Sequence, residues 1–373
     1  MMVNRTKKRF RRVLAALAVS GAVWQGVSPT YAEEQVVNVY NWGNSIGKDT
    51  VANFEKATGI KVVYQEFDTN ETLQAKLLSG SSGFDVVVPS DEFWARQTQA
   101  GIFQKMDPAK LSNFVHLDPA LMKLIAREDP DHQYGIPWSW GTDGIGINVE
   151  KVTAALGGKL PDDIMDILFD PHTAEKLKGC GISLIDAPSD IFGAALLYLK
   201  KDPNSHNPAD YQQAYELLKS IRPYISQFNS SSYIGDLANN DICVTYGWSG
   251  DINTARVAAL DAKKSYHIKY LIPVEGSPIW FDMMAIPKDA PHPEAAMKFI
   301  DFVLSDKESA QLTNDTNYPT AIPGSKPLVR AVIQADPAIY PPPEIFNKLY
   351  SVSPLPSGLE RLETRLWSKL KVD

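Results

Sequence analysis

The chain has 373 residues, 44% of them apolar and 22% charged, with a formal charge of −7. One compact core rarely grows to that size, so two domains are expected, and the composition excludes a disordered chain. The excess of 44 acids over 37 Lys and Arg residues argues against a nucleic-acid binder, which should carry a basic face.

Charge is concentrated at the start. Arg5, Lys7, Lys8, Arg9, Arg11 and Arg12 precede an apolar run over residues 13–23 and the small residue Ala32. A basic stretch, a short apolar stretch and a small residue predict a secretory signal peptide over residues 1–32, hence export to the periplasm. The pair Arg11-Arg12 also admits a twin-arginine route; general secretion is the preferred reading. Cleavage after Ala32 removes six positive charges and takes the formal charge from −7 to −13. No Cys closes the leader, and no second apolar run has the length of a membrane span.

The remaining chain opens with a strand over 36–40, a polar loop over 41–47 and a helix from about Asp49 that Gly59 stops. A strand over 60–64, a helix over 71–78, a strand over 84–88 and a helix from Asp91 follow. This order of strand, helix and strand predicts parallel pairing with helical crossovers. Residues 136–149 combine Pro137, Trp138, Trp140 and three glycines with a β-like end, which suits a crossing between domains. Further strands are expected over 181–185, 242–246 and 279–286, and helices over 191–199, 209–221 and 294–304. Residues 279–287 give a second crossing, so both domains are discontinuous with a cleft between them, and the class is α/β. Cys180 and Cys243 are the two cysteines. An exported chain with an even count favours a bridge, and two buried free thiols are the competing reading.

Catalytic and metal patterns are missing from the sequence. The six histidines are scattered without zinc spacing, and there is no nucleophile elbow and no phosphate loop. The glycines of residues 141–146 run into a strand-like end rather than a helix, so they are not a dinucleotide fingerprint. No catalytic residue, metal or cofactor is therefore expected.

A different pattern recurs at strand ends. The loops carry Trp42, Asn44 and Ser45; Ser90, Asp91, Glu92 and Trp94; Asp190; and Trp248 and Asp251, while Trp280 and Asp282 lie within the strand over 279–286. In open parallel sheets ligands bind beyond the carboxyl ends of the strands. Rings and acids gathered there suit a cation with an apolar portion, because carboxylates accept from an ammonium and aromatic faces cover methylenes. Asp91, Asp190 and Asp251 also stand near helix starts, where Asp is an ordinary cap, and each tryptophan could be a core residue. Asp282 resists the bland reading, since a carboxylate within an apolar strand is costly unless paired.

At these residues the sequence resembles the periplasmic polyamine-binding proteins of bacterial ABC importers, in their putrescine-binding branch. The stretches that carry the resemblance are residues 49–64, 84–90 (FDVVVPS), 186–188 (DAP), 236–243, 247–251 (GWSGD) and 339–342 (IYPP). The resemblance implies a type II periplasmic binding protein, α/β with two domains and a ligand cleft between them. The expected division is 33–139 with 285–318, and 140–284 with 319–373. It implies that Trp42, Trp248, Trp280 and Tyr318 supply rings, that Ser90 is a polar contact, that Asp190, Asp251 and Asp282 hold ammonium groups, and that Cys180 and Cys243 are joined.

The first loop departs from the family, which usually reads Asn-Trp-Ser/Thr-Asp/Glu-Tyr; here it reads Asn41-Trp42-Gly43-Asn44-Ser45 and lacks the acid. Glu92, two residues past Ser90, is expected to face the cleft and replace that charge; a solvated acid in a helix first turn is the alternative. The implied function is capture of a polyamine, putrescine foremost, by a monomer that is not an enzyme and that delivers its ligand to a membrane permease. Spermidine, agmatine or another organic cation, and a sensor role at a membrane receptor, are the alternatives.

Overall fold

The structure, a computed structural model, describes residues 35–43 and 45–372. The expected signal peptide and Asn44 lie outside the described residues. Nine strands are present among those described: β1 Val36–Trp42, β2 Lys61–Phe67, β3 Val86–Val87, β4 Ile136–Asn148, β5 Ile182–Leu184, β6 Gln227–Phe228, β7 Val244–Trp248, β8 Ile268–Leu271 and β9 Ile279–Met284. Among the described residues no helix is long and apolar enough to cross a membrane.

The first sheet has the order β2-β1-β3, all parallel. β1 alternates, burying Val37, Val39 and Asn41 and turning the others outward, as a strand with one covered face does. The helix Thr50–Thr58 ends at Gly59, whose φ of 72° lets its N–H reach the carbonyl of Glu55. The second sheet has the order β6-β5-β7-β4-β8; β5, β6 and β7 are parallel, and β4 runs antiparallel to β7 and β8. The expected α/β class is therefore present, with the parallel units joined by antiparallel crossings.

β4 makes the principal crossing. Its first half pairs with β9 from Ile136 to Thr142, and its second half pairs with β7 and β8 from Asp143 to Asn148. All 13 of its residues are buried, so it shows none of the alternation of a half-covered strand. Two large hydrophobic cores follow, beside a small cluster of Ala310, Val329, Ile333 and Ile339. One contains Val39, Phe54, Trp94, Trp138, Phe281 and Phe299; the other contains Ile145, Phe169, Phe192, Tyr246, Ile252 and Trp367. β9 packs wholly with the first core through Ile279, Phe281, Met283 and Met284, and Trp140, Ala321 and Ile322 lie there too. The expected division places these residues in 140–284 and 319–373; β9 pairs with the first half of β4 and not with its second half. The C-terminal helix Ser357–Val372 returns to the second core through Leu366, Trp367 and Leu370. Cys180 and Cys243 are joined, tying the approach to β5 to the approach to β7.

Candidate functional site

Four carboxylates meet where β4 passes from one core to the other. Asp282 of β9 is 7% exposed and is held by Ser90, whose Oγ donates to Oδ1 at 3.1 Å, and by Ser139, whose Oγ donates to Oδ2 at 3.1 Å. Ser90 lies opposite Asp282 in an isolated antiparallel bridge, which sets that distance. The Trp42 indole N–H is buried with no partner in hydrogen-bond geometry, yet it stands close enough to favour the ionised form of Asp282. Burial raises the Asp282 pKa to about 7 against the effect of these donors.

Asp251 is the third residue of the helix Ser249–Asp261. Its Oδ1 accepts from the Tyr318 hydroxyl at 2.6 Å and its Oδ2 from the Tyr233 hydroxyl at 2.9 Å. Asp190 is the third residue of the helix Pro188–Tyr198, and its Oδ2 accepts from the Trp248 indole at 3.2 Å. Neither acid caps its helix; both turn to ring N–H and O–H donors instead. Burial raises both pKa values, and the hydrogen bonds oppose the rise. Asp91 is not a helix cap either: its Oδ1 accepts the N–H of the next residue, Glu92, at 3.0 Å, burial pushes its pKa up, and its charge interacts with both Asp282 and Asp143.

The fourth acid, Asp143, is missing from the sequence-predicted set. It is fully buried at the point where β4 changes partners, and the Trp280 indole donates to its Oδ1 at 3.0 Å. Ser139, Tyr233 and Tyr350 also enter the cluster unpredicted. Unlike Asp282, Asp143 stands among Gly141, Gly144 and Gly146, a stretch that reads as a crossing rather than an apolar strand, so the sequence carries no local signal for it. No Lys, Arg or His is among the groups that shift Asp143, Asp190, Asp251 or Asp282.

Glycines seat the rings. A Cβ on Gly141 would lie 2.3 Å from the Trp280 ring, on Gly250 2.4 Å from the Tyr318 ring, and on Gly247 2.7 Å from the Tyr233 ring. Trp280 meets Tyr318 edge-on, with ring centroids 5.3 Å apart. The bare backbone thus lets three rings lie flat and brings their polar ends to Asp143 and Asp251.

The remaining predicted residues sit around this centre. Ser45 contributes its carbonyl, which accepts from the side chains of Asn41 and Trp138 at 3.1 and 2.9 Å. Trp42 packs on Phe67 with ring centroids 4.6 Å apart. Glu92 lies 3.7 Å from the Arg96 guanidinium one helical turn on, and Arg96 also binds Glu360 of the C-terminal helix. Burial raises the Glu92 pKa, and Arg96 and Ser189 oppose the rise. Glu92 is thus neither solvated nor without a cation.

A chain with two α/β cores, and with rings and uncompensated acids where its strand crosses between them, falls in the class of two-lobed solute-binding proteins. The family model for bacterial extracellular solute-binding proteins matches residues 49–341, and the chain belongs to that family. It is 46% identical over 364 residues to the putrescine-binding periplasmic protein SpuD of Pseudomonas aeruginosa, covering 98% of this chain and 99% of the relative. It is 44% identical over 362 residues to the putrescine-binding periplasmic protein PotF of Escherichia coli, covering 97% and 98%. The crystal structure of the spermidine/putrescine ABC transporter substrate-binding protein PotD of Streptococcus pneumoniae superposes with a TM-score of 0.77 at 25% identity, over 91% of this chain and 99% of that one.

Proposed function

We propose that this chain is a periplasmic solute-binding protein that captures a polyamine, putrescine foremost, and delivers it to the membrane permease of an ABC importer. One observation carries the reading: four carboxylates in the crossing region have neutral donors on them and no cation among the groups that shift them. An isolated buried carboxylate is strongly disfavoured, and a cationic ligand removes that cost. We read the acids as two poles: Asp251 acts on Asp282, Asp190 acts on Asp143, and Asp91 lies between them, interacting with both Asp282 and Asp143. Two acidic poles flanked by indole and phenol rings suit a chain of methylenes with an ammonium at each end.

The two cores act as lobes that divide near residues 142–143 on β4 and ahead of β9, and the ligand stabilises their closed arrangement. Trp42, Trp248, Trp280 and Tyr318 cover the methylenes; Ser90 orients Asp282. Glu92 lies beside Arg96, a cation that it shares with Glu360. The protein works as a monomer in the periplasm, after removal of its leader, without a cofactor and without chemistry on the ligand. Calorimetric titration of the mature protein with putrescine, agmatine and spermidine tests this. One-to-one binding of putrescine supports it, and absence of binding to all three amines refutes it.

A further inference from the structure

Asp143 is the acid whose hydrogen bonding is least complete. Its Oδ1 accepts from Trp280, while its Oδ2 is buried and has no partner. A second buried orphan stands beside it, the hydroxyl of Tyr350. Backbone pairing brings these two together, since the Asp143 N–H donates to the Pro278 carbonyl at 3.4 Å and Pro278 bridges to Tyr350. Asp190 completes the group. Asp143 is the register partner of Trp248, whose indole holds Asp190 Oδ2. A Cβ on Gly193, one turn past Asp190 on the same helix, would lie 3.7 Å from the Tyr350 hydroxyl. The charges agree with this geometry: Asp190 is the largest charge acting on Asp143, and Asp143 and Asp190 are the two largest acting on Tyr350.

Two neighbouring orphans that do not bond to each other leave a third group to satisfy both. A protonated Asp143 would only add an O–H that needs its own acceptor. We propose that Asp143 is a ligand-binding carboxylate, and that its Oδ2, the free oxygen of Asp190 and the Tyr350 hydroxyl together seat a primary ammonium in preference to a guanidinium. This rests on the polyamine reading above and names the head group that one pole selects. An ammonium has three diverging donors, one for each of three separate acceptors. A guanidinium binds best as a planar fork on both oxygens of one carboxylate. Here an indole N–H already occupies one oxygen of each carboxylate, so neither offers the fork a free pair.

The test titrates the wild type, Asp143→Asn and Tyr350→Phe with putrescine and with 1,4-diguanidinobutane, which share the four-carbon spacer but carry an ammonium or a guanidinium at both ends, so the diguanidine has no ammonium to turn to this pole. The wild type should prefer putrescine by more than about tenfold. Asp143→Asn should lose more than about tenfold in putrescine affinity and bring the two ligands close to parity, and Tyr350→Phe should do the same to a smaller extent. Putrescine affinity within twofold of wild type in Asp143→Asn, or equal affinity of the wild type for both ligands, overturns the proposal. If Asp143→Asn does not fold, as a thermal melt shows, an unchanged ligand preference in Tyr350→Phe overturns it instead. A wild type that binds neither ligand refutes the polyamine reading itself, which keeps the two failures distinct.

Discussion

Binding should be linked to pH through Asp282. In the ligand-free protein burial holds its pKa at about 7, so near neutrality the group is partly protonated. An ammonium requires the ionised form, so putrescine must displace that proton. With a free value of about 7 and a fully ionised complex, affinity should fall about tenfold between pH 8 and pH 6 from this group alone. Asp190 is raised in the same direction and steepens the fall. The sign for stability is the opposite. A carboxylate raised by folding binds its proton more tightly in the native state, so the ligand-free protein loses stability as pH rises from the unfolded value near 4 towards about 7. Putrescine should recover that loss at pH 8 far better than at pH 6. Calorimetry in buffers of different ionisation enthalpy reads the proton release directly, and melting curves with and without ligand read the stability. Ser139→Ala removes one of the donors that stabilise ionised Asp282 and should move the affinity profile to higher pH. A flat affinity from pH 8 to pH 6, or an unchanged slope in Asp282→Asn, would show that Asp282 releases no proton on binding.

Other substitutions separate the centre of the site from its rim. Asp282→Asn should weaken putrescine by ~2–5 kcal/mol, the cost of truncating one partner of a buried charge pair, while Glu92→Gln should change affinity less than about threefold because Glu92 already has a cation of this chain, Arg96, shared with Glu360. A tenfold loss in Glu92→Gln would return Glu92 to ligand contact. Gly141→Ala and Gly250→Ala should each displace a ring, Trp280 or Tyr318, and lower affinity about tenfold with the fold retained; near-native titrations would show that the rings have other seats. The Cys180–Cys243 bridge closes a separation of 63 residues, so its reduction should cost up to ~4 kcal/mol of stability and leave putrescine binding in place. Thiol labelling of both cysteines in denatured, unreduced protein would show that the bridge is not formed.

The sequence exposes those parts of the molecule that depend on local pattern. β1 alternates, Gly59 marks its helix end, and Asp282 stands out as an acid in an apolar strand. β4 is only half legible, because burial on both faces erases the alternation and its glycines resemble a loop. Those glycines have meaning only against rings distant in sequence, Trp280 on Gly141 and Tyr270 on Gly144, and nothing local announces that pairing. Asp143 is lost for the same reason: its place in the cluster comes from the ladders to β7 and β9. The partnership of Glu92 with Arg96 is different. Its four-residue spacing on a helix is readable, and it supplies a cation for Glu92 without any ligand.

On this reading two acidic poles grip the two ends of one dication. Titration with putrescine against 1-aminobutane, which keeps the methylenes and one ammonium and lacks the other, tests it most directly. Putrescine should bind one-to-one and at least about 100-fold more tightly than the monoamine, since losing one charged partner leaves a pole of buried carboxylates uncompensated. Equal affinity for the two amines would mean that only one end of the ligand is held.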